Sequence, residues 1–93
     1  MFERLRIRKY KEIYKYCENL LEILTRGNFA KIAPTLFNEI LYDVLTYLRS
    51  VKEFDINLRD YKYLKEYSST YSKNALDEIN EYMTRLHNII NSY

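Results

Sequence analysis

The chain has 93 residues, a net charge of +2 and a hydrophobic fraction of 47%. This length predicts a single domain with a modest core, and the plentiful aliphatic and aromatic residues exclude an intrinsically disordered chain. A single cysteine excludes an intrachain disulfide and a cysteine-based zinc site, and no apolar run reaches the roughly 18 residues that a membrane span needs. Because no apolar leader follows the basic N-terminus, we expect a cytoplasmic protein.

The first predicted helix spans residues 3–26. Its apolar residues recur at intervals of three and four, which is typical of the buried face of an amphipathic helix. These residues are Tyr10, Ile13, Cys17, Leu20 and Leu24. Arg26 and Gly27 supply the expected C-terminal stop. The central place of Cys17 in this stripe predicts a small buried hydrophobe and not a nucleophile.

Three further helices are predicted at about residues 34–53, 58–67 and 73–91. Pro34 suits the first turn of the second helix. Asn57 suits the N-cap of the third, where Ile56 and Tyr61 occupy the two ends of a hydrophobic staple. The serine-rich stretch before residue 73 predicts a break, although serine and threonine stop a helix only weakly and one unbroken helix from residue 58 is the alternative. No segment alternates with a period of two, so we predict an all-α, compact antiparallel bundle of three to four helices without a sheet.

Four cations share one face of the first helix, and they are Arg4, Arg8, Lys11 and Lys15. At 1.5 Å of rise per residue they form a line about 16 Å long, roughly 150° from the centre of the apolar stripe. Such a line matches a phosphate backbone or an acidic protein surface. The alternative is a solvated face, or a face whose cations pair with the acidic residues at positions 77–81.

A second candidate surface spans residues 59–71, where tyrosines alternate with cations. Its members are Arg59, Tyr61, Lys62, Tyr63, Lys65, Tyr67 and Tyr71. The helix predicted here has a poor apolar stripe, so we expect some of these rings to be exposed. Tyrosine with arginine is typical of interface hot spots, and rings between cations suit stacking on single-stranded bases. Tyr42, expected on the polar face of the second helix, is a further candidate, and the alternative is that such rings lie flat over the core.

The sequence shows no catalytic or metal-binding signature. His87 is the only histidine and has no cysteine or histidine partner at helical spacing, so it is predicted to lie at the edge of the core. We therefore predict a small non-catalytic adaptor or accessory subunit, without cofactor or metal, that docks on a larger protein within a DNA- or RNA-processing assembly. The composition is thermophile-like, and no membrane contact is expected. Homodimerisation through an apolar helix face that the core leaves uncovered is compatible with the spacing of the apolar residues. The alternative is a nucleic-acid-binding module, which the small net charge places second.

Overall fold

The computed structural model describes residues 2–66 and 72–92. Over these ranges all of the regular secondary structure is helical, which confirms the predicted all-α bundle. The elements, in chain order, are α1 (Phe2–Arg26), α2 (Phe29–Ile32), α3 (Pro34–Leu48), a 3₁₀ turn (Leu58–Tyr61), α4 (Tyr63–Glu66) and α5 (Ser72–Asn91). No helix in this part of the chain is both long and apolar enough to cross a membrane.

The three long helices α1, α3 and α5 share one core. The thiol of Cys17, in the middle of α1, lies 3.9 Å from the carbonyl oxygen of Val44 on α3, and the Tyr10 hydroxyl reaches Glu53 beyond the end of α3. These contacts make α1 and α3 antiparallel. The hydroxyl of Ser72, at the start of α5, donates to the buried Asn38 amide near the start of α3. The helices α3 and α5 therefore run in the same direction, and α1 runs against both.

The core contains most of the apolar stripe predicted for the first helix, whereas Leu20 is only partly buried against it. From α1 it contains Ile7, Tyr10, Ile13, Cys17 and Leu24. From α3 it contains Phe37, Leu41, Val44, Leu45 and Leu48, and from α5 it contains Ala75, Ile79, Met83 and Leu86. The stretch between α3 and α5 closes this core with Val51, Phe54, Ile56, Tyr61 and Leu64. Contacts with distant residues fix the path of the chain between α3 and α5. The helix ends in this stretch therefore differ from the predicted ones.

The second predicted helix was expected to reach residue 53, but α3 ends at Leu48. Beyond it, the backbone amides of Val51 and Phe54 bond to carbonyls three residues earlier, as in successive tight turns. Tyr10 of α1 explains this early end, because its hydroxyl accepts a hydrogen bond from the Lys52 amide at 2.9 Å and donates to the Glu53 carboxylate at 2.8 Å. The Lys52 amide therefore has a partner outside the helix.

The third predicted helix, 58–67, is replaced by the 3₁₀ turn and the single-turn α4. The predicted N-cap is confirmed, since Asn57 Oδ1 accepts a hydrogen bond from the Arg59 amide at 3.1 Å. Its staple partners Ile56 and Tyr61 are both buried. Tyr61, the last residue of the 3₁₀ turn, and Leu64, three residues later in α4, are both buried in the core. The predicted break before the last helix falls at residues 67–71, outside the described ranges.

The end of α1 lies at Arg26, as predicted, but the left-handed residue that follows is Asn28, with φ of 53°. Asparagine tolerates this region better than most residues. Gly27 serves a different purpose, because a Cβ atom at this position would overlap the ring of Phe29. The stop after α1 therefore combines a close approach at Gly27 with a left-handed turn at Asn28.

Candidate binding surfaces

The basic face of α1, defined by Arg4, Arg8, Lys11 and Lys15, is exposed along its whole length. None of these four side chains makes an ion pair with a described residue. The alternative pairing with the acidic residues of α5 is not found among the described contacts, and Glu78 instead accepts a hydrogen bond from the hydroxyl of Tyr61. The face therefore presents four cations to any anionic partner.

Tyr61 is not among the exposed rings that were expected in segment 59–71. The exposed fraction of Tyr61 is only 7%, because its ring fills the space between the 3₁₀ turn and α5. Burial, together with the hydrogen bond to Glu78, raises the pKa of its hydroxyl. Tyr63 is half-buried, with its ring centroid 6.3 Å from that of Tyr61. Tyr61 is thus a core residue, and its ring cannot stack on a partner in this fold.

The other members of the segment divide between exposed cations and positions without a described side chain. Arg59 and Lys62 are exposed. The side chain of Lys65 and the residues Tyr67 and Tyr71 lie outside the described part of the chain. Tyr42 is half-buried and packs against the core, so it does not project from a polar face as predicted.

An exposed apolar face lies where α1 and α3 pack side by side, and sequence reasoning missed it. The rings of Tyr16 and Tyr47 meet with centroids 4.4 Å apart, yet these side chains remain 45% and 42% exposed. Ile23, 52% exposed, and Leu36, 42% exposed, extend the face toward the α1–α3 connection. We call Tyr16, Ile23, Leu36 and Tyr47 the α1–α3 face. The only sequence signal was the seven-residue spacing of Tyr16 and Ile23, which places both on one side of α1, away from the main stripe.

A groove of about 510 Å³ separates α1 from α5 on another side of the bundle. Tyr14, Glu18, Leu21, Asn80, Met83, Thr84 and His87 line this α1–α5 groove. The rings of Tyr14 and His87 approach each other across it, with centroids 5.6 Å apart and an angle of 45° between their planes. Asn91 Nδ2 lies 2.8 Å from His87 Nε2 and orients the imidazole. His87 is exposed and its ring pairs with that of Tyr14 at the edge of the groove. This contact could not be predicted from the sequence without knowing which helices pack together.

Burial raises the pKa of two groups on α1, the Tyr14 hydroxyl and the Cys17 thiol. Burial raises the pKa of the Tyr14 hydroxyl, and the neighbouring Glu18 carboxylate acts in the same direction. The hydroxyl is therefore protonated at neutral pH. Burial raises the pKa of Cys17 to about 12, which keeps the thiol neutral and unreactive in the core. Within the described ranges, no group of three or more histidine, cysteine, aspartate or glutamate side chains could hold a metal ion.

These features define a small all-α bundle with a basic face, an apolar face and a polar-rimmed groove. Comparison with models of known protein families, with curated proteins and with solved structures found no match for the chain. The functional argument therefore depends on the geometry of these three surfaces.

Proposed function

We propose that this chain is a small non-catalytic adaptor or accessory subunit that docks on a larger protein through the α1–α3 face. The observation that carries the proposal is the pair of Tyr16 and Tyr47, whose rings contact each other at a tilt of 47° and yet remain close to half exposed. Tyrosine is enriched at interface hot spots, where its ring provides a large contact area at a small cost in side-chain entropy. Ile23 and Leu36 extend the apolar surface on both helices.

The apolar area left open on this face is large enough to matter for binding. Complete burial of a large apolar side chain contributes about 1.5–3 kcal/mol. The four side chains are about half exposed, so covering them would contribute on the order of 3–6 kcal/mol before the costs of association. A partner must add further contacts to reach micromolar affinity, which fits docking on a larger surface.

Paired lysine variants test the proposed face. Ile23→Lys with Tyr47→Lys places two charges in the face, whereas Asn74→Lys with Asn88→Lys adds the same charge at exposed positions of α5. We expect affinity purification from native extracts to recover one partner with the wild type and the α5 control, and to lose it with the face variant. Circular dichroism and thermal melting check that all three proteins fold. Retention of the partner by the face variant would contradict the proposal.

Light scattering separates the larger partner from a second copy of the chain. A monomer at micromolar concentration that forms a stoichiometric complex with the recovered protein supports the adaptor function. A stable homodimer that the face variant converts to a monomer would instead assign the α1–α3 face to self-association.

A nucleic-acid-binding module is the second candidate, and the exposed basic face of α1 favours it. Four cations without a described carboxylate partner supply the electrostatic requirement for phosphate contacts. Segment 59–71 adds less support than expected because Tyr61 is buried. Changing all four cations of the basic face to glutamate should abolish salt-dependent binding without unfolding the bundle, and unchanged binding would remove this candidate.

A further inference from the structure

The basic face and the α1–α5 groove are neighbours on α1. At roughly 100° per residue, Lys11 is only about 60° around the helix from Tyr14, and Arg4 about 80°. Tyr14 is the first α1 residue that lines the groove, so Lys11 and Lys15 border its wall on the solvent side, while Arg4 and Arg8 lie further toward the N-terminus of α1. A chain of phosphates following the basic face would therefore reach the groove at its Tyr14 end.

The groove supplies aromatic and polar groups suited to nucleobases. The ring of His87 is exposed and held by Asn91, and the half-buried ring of Tyr14 lies 5.6 Å away on the facing helix. Asn80 and Thr84 provide donors and acceptors along the α5 wall, while the side chains of Leu21 and Met83 line the groove between the helices. A volume of about 510 Å³ falls in the range of sites that bind small organic ligands.

We propose that the α1–α5 groove binds the bases of a single-stranded nucleic acid, with stacking on His87 and Tyr14, while the phosphates follow Arg4, Arg8, Lys11 and Lys15. The proposal rests on the nucleic-acid alternative described above and goes beyond it, because it replaces the buried Tyr61 with a different aromatic site. Cations that track a backbone beside rings that accept bases are the general requirements of single-strand binding. A duplex keeps its bases stacked inside and cannot place them in this groove.

Among the described residues that line the groove, Glu18 is the one carboxylate, and changing it tests the direction of the expected effect. Its negative charge repels phosphates near the groove wall, so the phosphate backbone of the nucleic acid must lie on the outer side of α1, toward Lys11 and Lys15. Glu18→Gln removes the charge and preserves the shape. At the separations expected in a solvated groove, this change should strengthen binding by roughly three- to fivefold.

His87 provides a direct reporter because it is the only histidine in the sequence. Its ring protons are identified in a proton NMR spectrum without full assignment. The probes are an oligothymidylate and an oligouridylate, each of about ten nucleotides, within the site sizes typical of single-strand binders. We expect the His87 ring resonances to shift upfield on addition of a probe, and comparison of the two affinities distinguishes DNA from RNA.

Charge-matched variants separate the groove from a general charge effect. Lys11→Glu with Lys15→Glu and the control Lys31→Glu with Arg49→Glu change the net charge equally at exposed positions. We expect the first pair to weaken binding by at least about tenfold and to flatten the salt dependence, by about 0.7 in log–log slope per lost phosphate contact. The control pair should bind like the wild type. His87→Ala, also at an exposed position, should weaken binding roughly five- to hundredfold.

Four results would overturn the proposal, and they are distinguishable. Salt-dependent binding without movement of the His87 resonances would remove the groove but keep the nucleic-acid alternative. Equal weakening by the two charge-matched pairs would assign binding to general charge. Tighter binding of a duplex of the same length would assign binding to the basic face of α1 without the groove. Absence of binding to both probes at low salt would remove the groove and the nucleic-acid alternative together.

Discussion

The alkaline stability of the protein provides a quantitative test of its core through Cys17. The side chain is fully buried, and burial raises the pKa of the thiol from 9.0 to about 12. The thiol ionises at lower pH in the unfolded chain than in the folded one. Its stabilising contribution is therefore complete below pH 9 and is lost as the pH rises toward 12. At 1.36 kcal/mol per pH unit, we expect a loss of about 1 kcal/mol between about pH 8 and pH 10 from this group alone.

The Cys17→Ala variant isolates this contribution. Alanine leaves a small cavity and lowers the free energy of unfolding, but that cost does not depend on pH. Buried tyrosine hydroxyls with raised pKa values, such as those of Tyr10 and Tyr61, also destabilise the fold at high pH, but they are common to both proteins. The assay is urea unfolding followed by helical circular dichroism at both pH values. An equal loss of stability in wild type and variant would refute the assignment of Cys17 to a water-excluded core.

Substitutions at three further positions test local features by the same urea assay at neutral pH. Tyr10→Phe should lower the free energy of unfolding by about 1–2 kcal/mol, because it removes two hydrogen bonds, one of them to the Glu53 carboxylate; a neutral effect would show that these bonds do not fix the end of α3. Gly27→Ala should cost about 1–3 kcal/mol, since the added Cβ displaces the ring of Phe29, and a stabilised variant would contradict that packing. Asn57→Ala should cost about 1 kcal/mol through loss of the N-cap, whereas Asn57→Asp should retain most of the stability; similar losses in the two variants would argue against the cap.

The long helices were predictable because their signals are local. A three- and four-residue spacing of apolar side chains defines the buried side of a helix whatever it packs against. The same argument placed the basic face of α1, since helical geometry alone puts Arg4 and Lys15 on the side opposite the stripe. Cap chemistry was equally local, and it located Asn57 and the end of α1 at Arg26.

The errors occurred where a distant part of the chain decides the outcome. The second helix stopped early because a hydroxyl 42 residues away binds the Lys52 amide. Some tyrosines of segment 59–71 were expected at the surface because the local stripe is weak, but that stripe did not decide whether Tyr61 is one of them. Its burial depends on the space that α5 leaves beside the 3₁₀ turn and on the acceptor that Glu78 provides.

The sequence by itself determined an all-α chain, the inward faces of its long helices and a basic face on α1, because each follows from the covalent geometry of one helix. Only the tertiary structure decided which tyrosines are available to a partner. Tyr16 meets Tyr47, and Tyr14 meets His87, because antiparallel packing brings together residues far apart in the chain. Both candidate contact surfaces beyond the basic face are properties of helix pairs, and no spacing within a single segment encodes them.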